Sequence, residues 1–244
     1  MGPSPDEVIL DVRDLRKAFG GVKAVDGASF AVPRGKISGL IGPNGSGKTT
    51  TFNLLTGVAA PDGGQILYRG ADVSGLRPYQ IFARGITRTF QITRVFREMT
   101  VLENMLSVTG LGLPDRVARQ RAEELIAFVN LSHLRGEYGG RLSYGQQKLL
   151  EFARALMTDP DLILLDEPAA GINRTILQQL LDQIHHLQEQ GKTILIVEHD
   201  MNVIMNHCER IFVLDFGVKI AEGPPAEIQR DERVIEAYFG RRRS

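Results

Sequence analysis

Eight consecutive residues near the beginning of the chain have the types and the spacing that a loop needs to bind phosphate. They are Gly42-Pro43-Asn44-Gly45-Ser46-Gly47-Lys48-Thr49, which fit the pattern G-x-x-x-x-G-K-[ST]. A strand-like segment precedes this phosphate loop and a helical pattern follows it, so backbone N–H groups at a helix N-terminus would face an anion. Lys48 would reach the β- and γ-phosphates of a nucleotide, Thr49 would bind Mg²⁺ through its hydroxyl, and Thr50 would lie beside them. A fortuitous glycine-rich turn is the alternative interpretation.

Two adjacent acids end a second apolar segment. The run Leu162–Leu165 is typical of a parallel strand buried on both faces, and Asp166 and Glu167 follow it directly. Ligands of α/β sheets bind at the carboxyl ends of the strands, so these acids form the second half of the predicted nucleotide site. We predict that Asp166 holds Mg²⁺ and that Glu167 polarises the attacking water as a general base. The alternative, two solvated acids in a turn, gives the apolar run no reason to end there.

A third segment lies between these two motifs. Leu142-Ser143-Tyr144-Gly145-Gln146 resembles the L-S-G-G-Q signature that distinguishes the ATPases of the ABC family from other phosphate-loop proteins. Ser143 and the N–H groups of Gly145 and Gln146, at the start of a helix, would suit a γ-phosphate. The resemblance implies that this site serves the ATP of an opposing subunit, so that two ATP molecules lie between two subunits arranged head to tail. Tyr144 replaces the first glycine of the common signature, and we expect function to survive this departure.

Further positions match the family one at a time, and their roles rest on the resemblance. Phe19 stands where the family stacks an aromatic ring on adenine, with a core phenylalanine as the alternative. Gln91 matches the glutamine that touches Mg²⁺ or the lytic water, with a surface amide as the alternative, and His199 matches the histidine that contacts the γ-phosphate. Asn173 replaces an aspartate that many members carry in the loop crossing the subunit interface. Surface or packing positions are expected for the other histidines: His133, His185, His186 and His207.

A narrower resemblance, to the larger ATPase of branched-chain amino acid importers, rests on five segments. They are Arg88–Gln91, Met99–Asn104, Leu142–Gln147, Glu167–Gly171 and Val197–Met201. This resemblance implies uptake of leucine, isoleucine or valine. It also implies membrane permease subunits, an extracytoplasmic solute-binding protein and a second ATPase subunit. That second subunit is either identical or a paralogue, and a paralogue is favoured. An ATPase for urea or amide import, or for envelope-lipid export, is the alternative. An ABC ATPase without a transporter fits less well, because such proteins usually have a coiled-coil insertion or two cassettes in one chain.

A segment that follows Gln91 combines apolar and charged side chains in a way that suits contact with a partner. Its apolar residues are Val95, Phe96, Met99 and Val101, among Arg94, Arg97 and Glu98. We predict that a short helix of the permease docks in the groove between Gln91 and the helical lobe. The alternative is that these side chains simply pack the lobe.

Composition limits the partners and the location of the chain. The 244 residues carry a formal net charge of zero, so no nucleic-acid partner is expected. The one cysteine, Cys208, cannot form an internal disulfide, which is typical of a reducing cytoplasm. The apolar runs are far shorter than the roughly 20 residues that span a bilayer. Together with the resemblance, this predicts a cytoplasmic protein bound peripherally to the inner face of the cell membrane.

The elements that must position these residues predict an α/β fold. The resemblance implies that this fold is a phosphate-loop ABC ATPase cassette with a mostly parallel core sheet, an antiparallel β subdomain and an inserted α-helical lobe. Residues 1–244 would form one nucleotide-binding domain, with 1–91 and 162–244 as the α/β core and antiparallel subdomain and 92–161 as the helical lobe. The predicted strands are 8–12, 28–32, 36–41, 65–68, 85–90, 162–165 and 193–197, and the predicted helices are 49–56, 116–128, 146–157 and 175–190.

Overall fold

Strands in two sheets organise the computed structural model, which describes residues 7–89, 93–108 and 114–239. The strands are β1 (Val8–Phe19), β2 (Val22–Pro33), β3 (Ile37–Ile41), β4 (Gly63–Tyr68), β5 (Ala71–Asp72), β6 (Ile86–Arg88), β7 (Leu162–Asp166), β8 (Thr193–Val197), β9 (Arg210–Asp215) and β10 (Val218–Gly223).

Helices follow or separate most of these strands. They are α1 (Lys48–Leu55), α2 (Pro78–Phe82), α3 (Val101–Leu106), α4 (Asp115–Phe128), α5 (Tyr144–Ala155), α6 (Arg174–Glu189), α7 (Met201–His207), α8 (Pro225–Ile228) and α9 (Glu232–Phe239), with 3-10 turns at Ser132–Leu134 and Gly139–Arg141. Polar side chains fix several helix starts by accepting an N–H of the first turn. Thr100 begins α3 in this way, Ser143 begins α5 and Asn173 begins α6.

The two sheets have different topologies. The larger one has the order β10-β9-β3-β8-β7-β6 and is parallel except for the antiparallel pair β9–β10. The smaller one, β2-β1-β4-β5, is antiparallel. The predicted α/β cassette with both kinds of sheet is thus confirmed. Because β3, β7 and β8 are parallel, their carboxyl ends bring the phosphate loop, the two acids and the segment containing His199 to the same edge.

Side chains of the larger sheet alternate between two hydrophobic cores. In β7, Ile163 and Leu165 pack into the core shared with α5 and α6. Leu162 and Leu164 pack into the other core, which is shared with the antiparallel sheet. All five residues of β7 are buried, as the continuous apolar run predicts for a strand covered on both faces. Strand β7 is therefore packed on both faces up to Asp166, the first of the two acids.

The first hairpin is longer than its sequence pattern predicts. Strands β1 and β2 have 12 residues each, whereas alternation of apolar side chains is evident only in part of each strand. The outer half of β1 carries exposed polar residues, but its backbone continues to pair with β2 as far as Phe19 and Val22. The outer half of the hairpin is thus stabilised by backbone hydrogen bonds, which the side-chain pattern does not reveal.

Helices α3, α4 and α5 lie between β6 and β7 in the chain and pack against one another. Their apolar faces, which include Met105, Ile126 and Leu150, join the core on one side of the larger sheet. None of the helices in the described part of the chain is long and apolar enough to cross a membrane.

Candidate nucleotide site

The phosphate loop packs so closely against two strands that glycine is required at two positions. At Gly42, φ is +153° and an added Cβ would lie 2.1 Å from the carbonyl oxygen of Leu214 in β9. At Gly47, φ is +100° and an added Cβ would lie 2.3 Å from the carbonyl oxygen of Ala24 in β2. Both neighbours are backbone atoms, which cannot rotate aside as a side chain can. The glycines therefore allow the loop to curl between the two sheets.

Lys48, the first residue of α1, lies along the loop. It is 5% exposed, and its Nζ donates to the carbonyl oxygens of Gly42, at 2.7 Å, and Pro43, at 2.9 Å. Burial lowers the pKa of Lys48, whereas the negative charges of Glu167 and Asp166 act in the opposite direction. The structure thus brings together the lysine of the first motif and the two acids of the second.

Residues of the loop other than Lys48 differ in their exposure. Gly42 and Ser46 are buried, Pro43, Gly47 and Thr50 are half-buried, and Asn44, Gly45 and Thr49 are exposed. The open side of the loop thus includes the Thr49 hydroxyl at the start of α1. A ligand can reach this side from solvent.

The side chains of Glu167 and His199 are in direct polar contact at the ends of β7 and β8. Nε2 of His199 lies 2.7 Å from Oε1 of Glu167, with the side chains 46% and 13% exposed, respectively. Glu167 has φ of +48°, a left-handed conformation that is unusual for a residue with a side chain, and its N–H donates to Val197 at 2.8 Å. The carboxylate is therefore held by its backbone and by the imidazole, in an arrangement that suits a positioned general base.

Asp166 forms a buried ion pair that sequence reasoning did not predict. Nη2 of Arg88, at the end of β6, donates to Oδ2 of Asp166 at 2.6 Å, with the side chains 6% and 5% exposed. Nη1 of Arg88 also donates to Asn53 in α1 at 2.7 Å. Arg88 lies in a strand that pairs with the buried strand β7, and a buried charge needs a partner of opposite charge. This requirement is the signal from which the ion pair could have been predicted. Arg88 therefore connects the acid to the helix that follows the phosphate loop.

The predicted Mg²⁺ ligands suit that ion. Mg²⁺ in nucleotide sites is usually bound by one or two carboxylates together with phosphate oxygens. Asp166 supplies a carboxylate whose charge acts on Lys48, and Thr49 supplies an exposed hydroxyl. Gln91, predicted both as a ligand and as a catalytic residue, lies outside the described residues.

The signature segment starts helix α5 with a reciprocal cap. Oγ of Ser143 accepts the N–H of Gln146 at 3.3 Å, and the side chain of Gln146 accepts the N–H of Ser143 at 2.9 Å. Gly145 lies against α6, because an added Cβ would be 3.1 Å from Ile176. Ser143 is exposed and Gly145 and Gln146 are half-buried, so the helix start is accessible. Contact of these residues with a γ-phosphate remains a prediction.

Tyr144 fills the position where the common signature has glycine, and its ring packs on Gly171. An added Cβ at Gly171, where φ is +74°, would lie 2.8 Å from Cε1 of Tyr144. The ring is 40% exposed, and Nζ of Lys148 lies 5.9 Å from its centroid. The departure from the family pattern is therefore accommodated by the absence of a side chain at Gly171.

Other residues singled out in the sequence occupy varied positions. Phe19 is 55% exposed at the end of the first hairpin, so the alternative of a core phenylalanine is wrong, and its contact with adenine remains a prediction. Asn173 caps α6 by accepting the N–H of Ile176 at 3.0 Å, a role that its place before a helical pattern could have indicated. Nε2 of His185 in α6 lies 2.8 Å from Nδ1 of His207 at the end of α7, outside the site.

Two buried charged residues that the sequence analysis did not single out lie behind Glu167. Nζ of Lys148, in α5, donates to the carbonyl oxygen of Glu167 at 3.1 Å. The carboxylate of Glu198 accepts the N–H of Ala169 at 2.6 Å and that of His199 at 3.0 Å. Lys148 is 5% and Glu198 3% exposed. Lys148 lies on a helix face and Glu198 at a strand end, both of which are expected to be buried. A charged residue at such a position is the signal that could have identified them.

The segment predicted to contact a permease is only partly exposed. Phe96 and Met99 are 48% and 39% exposed, but Val101 is 0% exposed, so its assignment to the docking surface is wrong. Val101 is the first residue of α3 and packs in the core below the segment. Asn104 of α3 holds the exposed part by bonding to the backbone N–H and carbonyl of Phe96 and to the carbonyl of Met99, at 2.8–3.1 Å. The exposed residues therefore stand on a fixed support.

Known sequences resemble this chain over most of its length. Residues 25–170 match the model of the ABC transporter family, and residues 218–243 match that of the branched-chain amino acid ATP-binding cassette transporter. The chain is 39% identical over 249 aligned positions to the high-affinity branched-chain amino acid transport ATP-binding protein BraF of Pseudomonas aeruginosa, covering 95% of this chain and 98% of the relative. It is 40% identical to the Escherichia coli protein LivG of the same description, with the same coverage of both chains.

Solved structures give the same result. A nucleotide-free ATP-binding cassette from an ABC transporter superposes with a TM-score of 0.87 at 34% identity, covering 96% of this chain and 100% of that one. A cassette in its ADP conformation superposes with a TM-score of 0.86 at 34% identity, covering 96% and 99%. With the phosphate loop, the acids and the signature joined in one fold, the chain belongs to the ABC transporter family, as an ATP-binding subunit that hydrolyses ATP.

Proposed function

We propose that this chain hydrolyses ATP to energise the import of branched-chain amino acids. The observation that carries the proposal is the 2.7 Å contact between Glu167 and His199, beside the lysine of the phosphate loop. The substrate class is supported by the relatives, which are described as branched-chain amino acid transport proteins, and by the match of residues 218–243.

ATP would bind with its phosphates in the phosphate loop and its adenine against Phe19. Lys48 would exchange the carbonyl oxygens of its own loop for the β- and γ-phosphates. Mg²⁺ bound through Thr49 and Asp166 would neutralise charge on the phosphates. Glu167 would then accept a proton from the attacking water, while His199 orients the carboxylate and contacts the γ-phosphate.

A second ATPase subunit would complete each site. Ser143, Gly145 and Gln146 of one subunit would contact the γ-phosphate held by Lys48 of the other, so that ATP closes the dimer and hydrolysis releases it. A solved cassette that superposes with a TM-score of 0.79 at 26% identity, covering 88% of this chain and 98% of that one, is described as the dimeric, post-hydrolysis state of that protein bound to ADP and phosphate. The partner is either a second copy of this chain or a paralogue.

Membrane permease subunits would receive the motion through the helical lobe, which we assign to residues 92–161, between the core segments 1–91 and 162–244. The docking surface would include Phe96 and Met99, which are exposed on their support, and Gln91 would connect it to the site. The chain would therefore work at the inner face of the membrane, and an extracytoplasmic solute-binding protein would supply the amino acid.

ATP turnover measured against protein concentration tests the dimeric site. We expect the specific activity of the wild type to rise with concentration, and Glu167→Gln to lose turnover while native mass spectrometry in ATP detects a trapped dimer. The matched control is Glu189→Gln, at an exposed glutamate at the end of α6, which should behave as the wild type. Concentration-independent turnover by a persistent monomer would contradict the proposal.

Reconstitution with the permease and the binding protein tests the substrate. ATP turnover in proteoliposomes should rise when the binding protein is loaded with leucine, isoleucine or valine, and not when urea is offered instead. Stimulation by urea alone would assign the chain to the alternative importer.

A further inference from the structure

The carboxylate of Glu198 lies between the two loops that follow β7 and β8. One oxygen accepts the N–H of Ala169 at 2.6 Å, and the other accepts the N–H of His199 at 3.0 Å and that of Asp200 at 3.4 Å. Ala169 is two residues beyond Glu167, so a single side chain spans the loop of the general base and the loop of the histidine. Glu198 itself is 29 positions from Ala169 in the chain.

Backbone N–H groups are the hydrogen-bond donors to this buried carboxylate. Glu198 is 3% exposed, and within the described ranges no cationic side chain lies within salt-bridge distance of it. Burial raises the pKa of Glu198, the three N–H groups directed at the carboxylate act in the opposite direction, and the negative charge of Glu167 adds to the rise. An acid that served only to fill space would be replaced at lower cost by an apolar side chain. Burial of the Glu198 carboxylate therefore costs free energy, and its hydrogen bonds go to the loops after β7 and β8.

The bonds of Glu198 close a ring around the reactive pair. The N–H of Glu167 donates to the carbonyl oxygen of Val197 at 2.8 Å, and Oε1 of Glu167 contacts Nε2 of His199 at 2.7 Å. Glu198 adds the link from Ala169 to the backbone of His199. With both loops tied at two places, a displacement of one loop must displace the other.

We propose that Glu198 is a positioning residue, which fixes Glu167 against His199 and transmits movement of residues 169–173 to the histidine. This inference rests on the catalytic roles proposed above for Glu167 and His199. The loop that includes Ala169 continues to Gly171, on which the signature tyrosine packs, and to Asn173 at the start of α6. A partner subunit that presses on this loop would thus change the geometry of the histidine in the same chain.

Lys148 in α5 also bonds to this segment. Its Nζ donates to the carbonyl oxygen of Glu167 at 3.1 Å, and its electrostatic neighbours include Glu198 as well as Glu151. The backbone of Glu167 is thereby held from α5, while its side chain is held from the loop after β8. Only the second connection depends on Glu198, which allows the two to be separated by mutation.

Glu198→Gln in the full-length chain tests the proposal. The amide keeps the shape of the side chain but replaces one acceptor oxygen with a donor, so the Ala169 or the His199 bond is lost. We expect kcat for ATP to fall by about 10- to 100-fold, while the Kd for ATP changes by less than about twofold because the phosphate loop is untouched. Hydrogen exchange should accelerate in peptides covering 168–170 and 198–200 but not in β7 and β8. Glu189→Gln should change none of these quantities.

Two results would overturn the inference. One is a kcat equal to that of the Glu189→Gln control although exchange is faster in the two loops. The other is loss of protection throughout β7 and β8 with kcat falling only in proportion to the folded fraction, which would indicate a merely structural role. Should Glu198→Gln fail to fold, Glu198→Asp keeps the charge on a side chain one methylene shorter, which cannot reach both loops; wild-type kcat in that variant would also overturn the inference.

Glu167→Gln measured in parallel separates this inference from the proposed function. If Glu167→Gln is inactive and Glu198→Gln has wild-type kcat, only the positioning role of Glu198 is wrong. If Glu167→Gln retains turnover, the proposed catalytic role and the inference that rests on it are both wrong.

Discussion

Arg88 and Asp166 form an ion pair of 2.6 Å in which neither side chain is more than 6% exposed. The acid is the residue that we expect to hold Mg²⁺, and the arginine also contacts Asn53 in the helix after the phosphate loop. A buried pair of this kind contributes little relative to apolar side chains, but loss of one partner leaves the other charge uncompensated. Charge compensation of Asp166, at the end of β7, therefore depends on Arg88 in β6.

Arg88→Met should destabilise the protein. The substitution keeps an apolar stem of similar length and leaves the Asp166 carboxylate buried without its cation, which costs about 3–5 kcal/mol in the free energy of unfolding. Urea denaturation measures this difference. The control is Arg13→Met, in which the lost partner is Asp11 and the arginine side chain is 60% exposed, so a change below about 1 kcal/mol is expected. Equal stability of the two variants would show that Asp166 has other compensation.

The motifs of the phosphate site were predictable because each encodes its own local backbone. Gly42 and Gly47 have positive φ in a loop between a strand and a helix, and the pattern G-x-x-x-x-G-K-[ST] contains this information. The run that ends at Asp166 likewise encodes a buried strand. Sequence patterns therefore predicted the α/β core and the residues that surround Lys48, whereas the antiparallel subdomain of the cassette was implied by the resemblance.

Contacts that depend on strand pairing were not predictable in this way. Arg88 reaches Asp166 across 78 positions because β6 pairs in parallel with β7, with Arg88 opposite Leu164. Glu198 reaches Ala169 across 29 positions for the same kind of reason, through the pairing of β7 with β8. A single sequence contains no register between distant strands, so the contacts of Arg88 and Glu198 were missed, although the motifs that they contact were singled out.

The contact between Tyr144 and Gly171 predicts a rescue by a second mutation. Gly171→Ala introduces a Cβ 2.8 Å from Cε1 of Tyr144 and places alanine at φ of +74°. The conformational part of this cost is about 1–2 kcal/mol, and the clash adds to it. Tyr144→Gly removes the clash but not the conformational cost.

Unfolding free energies of Gly171→Ala, Tyr144→Gly and the double variant measure the coupling. We expect the double variant to be more stable than the sum of the single effects predicts, by about 0.5–3 kcal/mol. Additive effects would mean that the ring moves away from Gly171 without cost. Gly75→Ala serves as the reference, because Gly75 has φ of +68° and nothing lies within 4 Å of the added Cβ. Its loss of stability measures the conformational cost alone.

Cys208 should resist alkylation in the folded protein. Burial raises the pKa of its thiol to about 12, with the charge of Glu209 as a smaller cause, and the residue is 5% exposed. Almost no thiolate is present at pH 8, so iodoacetamide should react at a rate set by opening of the structure. Chain unfolded in urea supplies the reference rate. Rapid labelling of the native protein at the reference rate would contradict the burial of Cys208.

The same thiol predicts a loss of stability at alkaline pH. The unfolded chain releases the proton of Cys208 near its ordinary pKa of 9.0, whereas the folded protein retains it until about pH 12. The folded state thus binds more protons in this window, so the free energy of unfolding falls as the pH rises from about 9 towards 12. Cys208→Ala should reduce this slope between pH 9 and 10.5, measured by urea denaturation, and an unchanged slope would contradict the assignment.

Phe96→Asp should weaken binding of the permease without weakening the ATP site. Phe96 is 48% exposed, Arg154 lies over its ring at 4.8 Å, and Asn104 holds its backbone from below, so the substitution changes the surface and leaves the support in place. If Phe96 is a buried anchor of the docking surface, its loss should cost about 2 kcal/mol or more of binding. Co-purification of the variant with the permease, and its ATP turnover without the permease, measure the two effects.

Ile235→Asp is the matched control for this docking test. Ile235 is 46% exposed, close to the exposure of Phe96, but it lies on α9 near the C-terminal end of the described chain. We expect Ile235→Asp to co-purify with the permease as the wild type does, whereas Phe96→Asp does not. Since both variants add one acid at an exposed apolar position, a difference between them reflects location and not charge. Normal recovery of the permease with Phe96→Asp would instead assign Phe96 to packing within the lobe, the alternative that its contact with Arg154 supports.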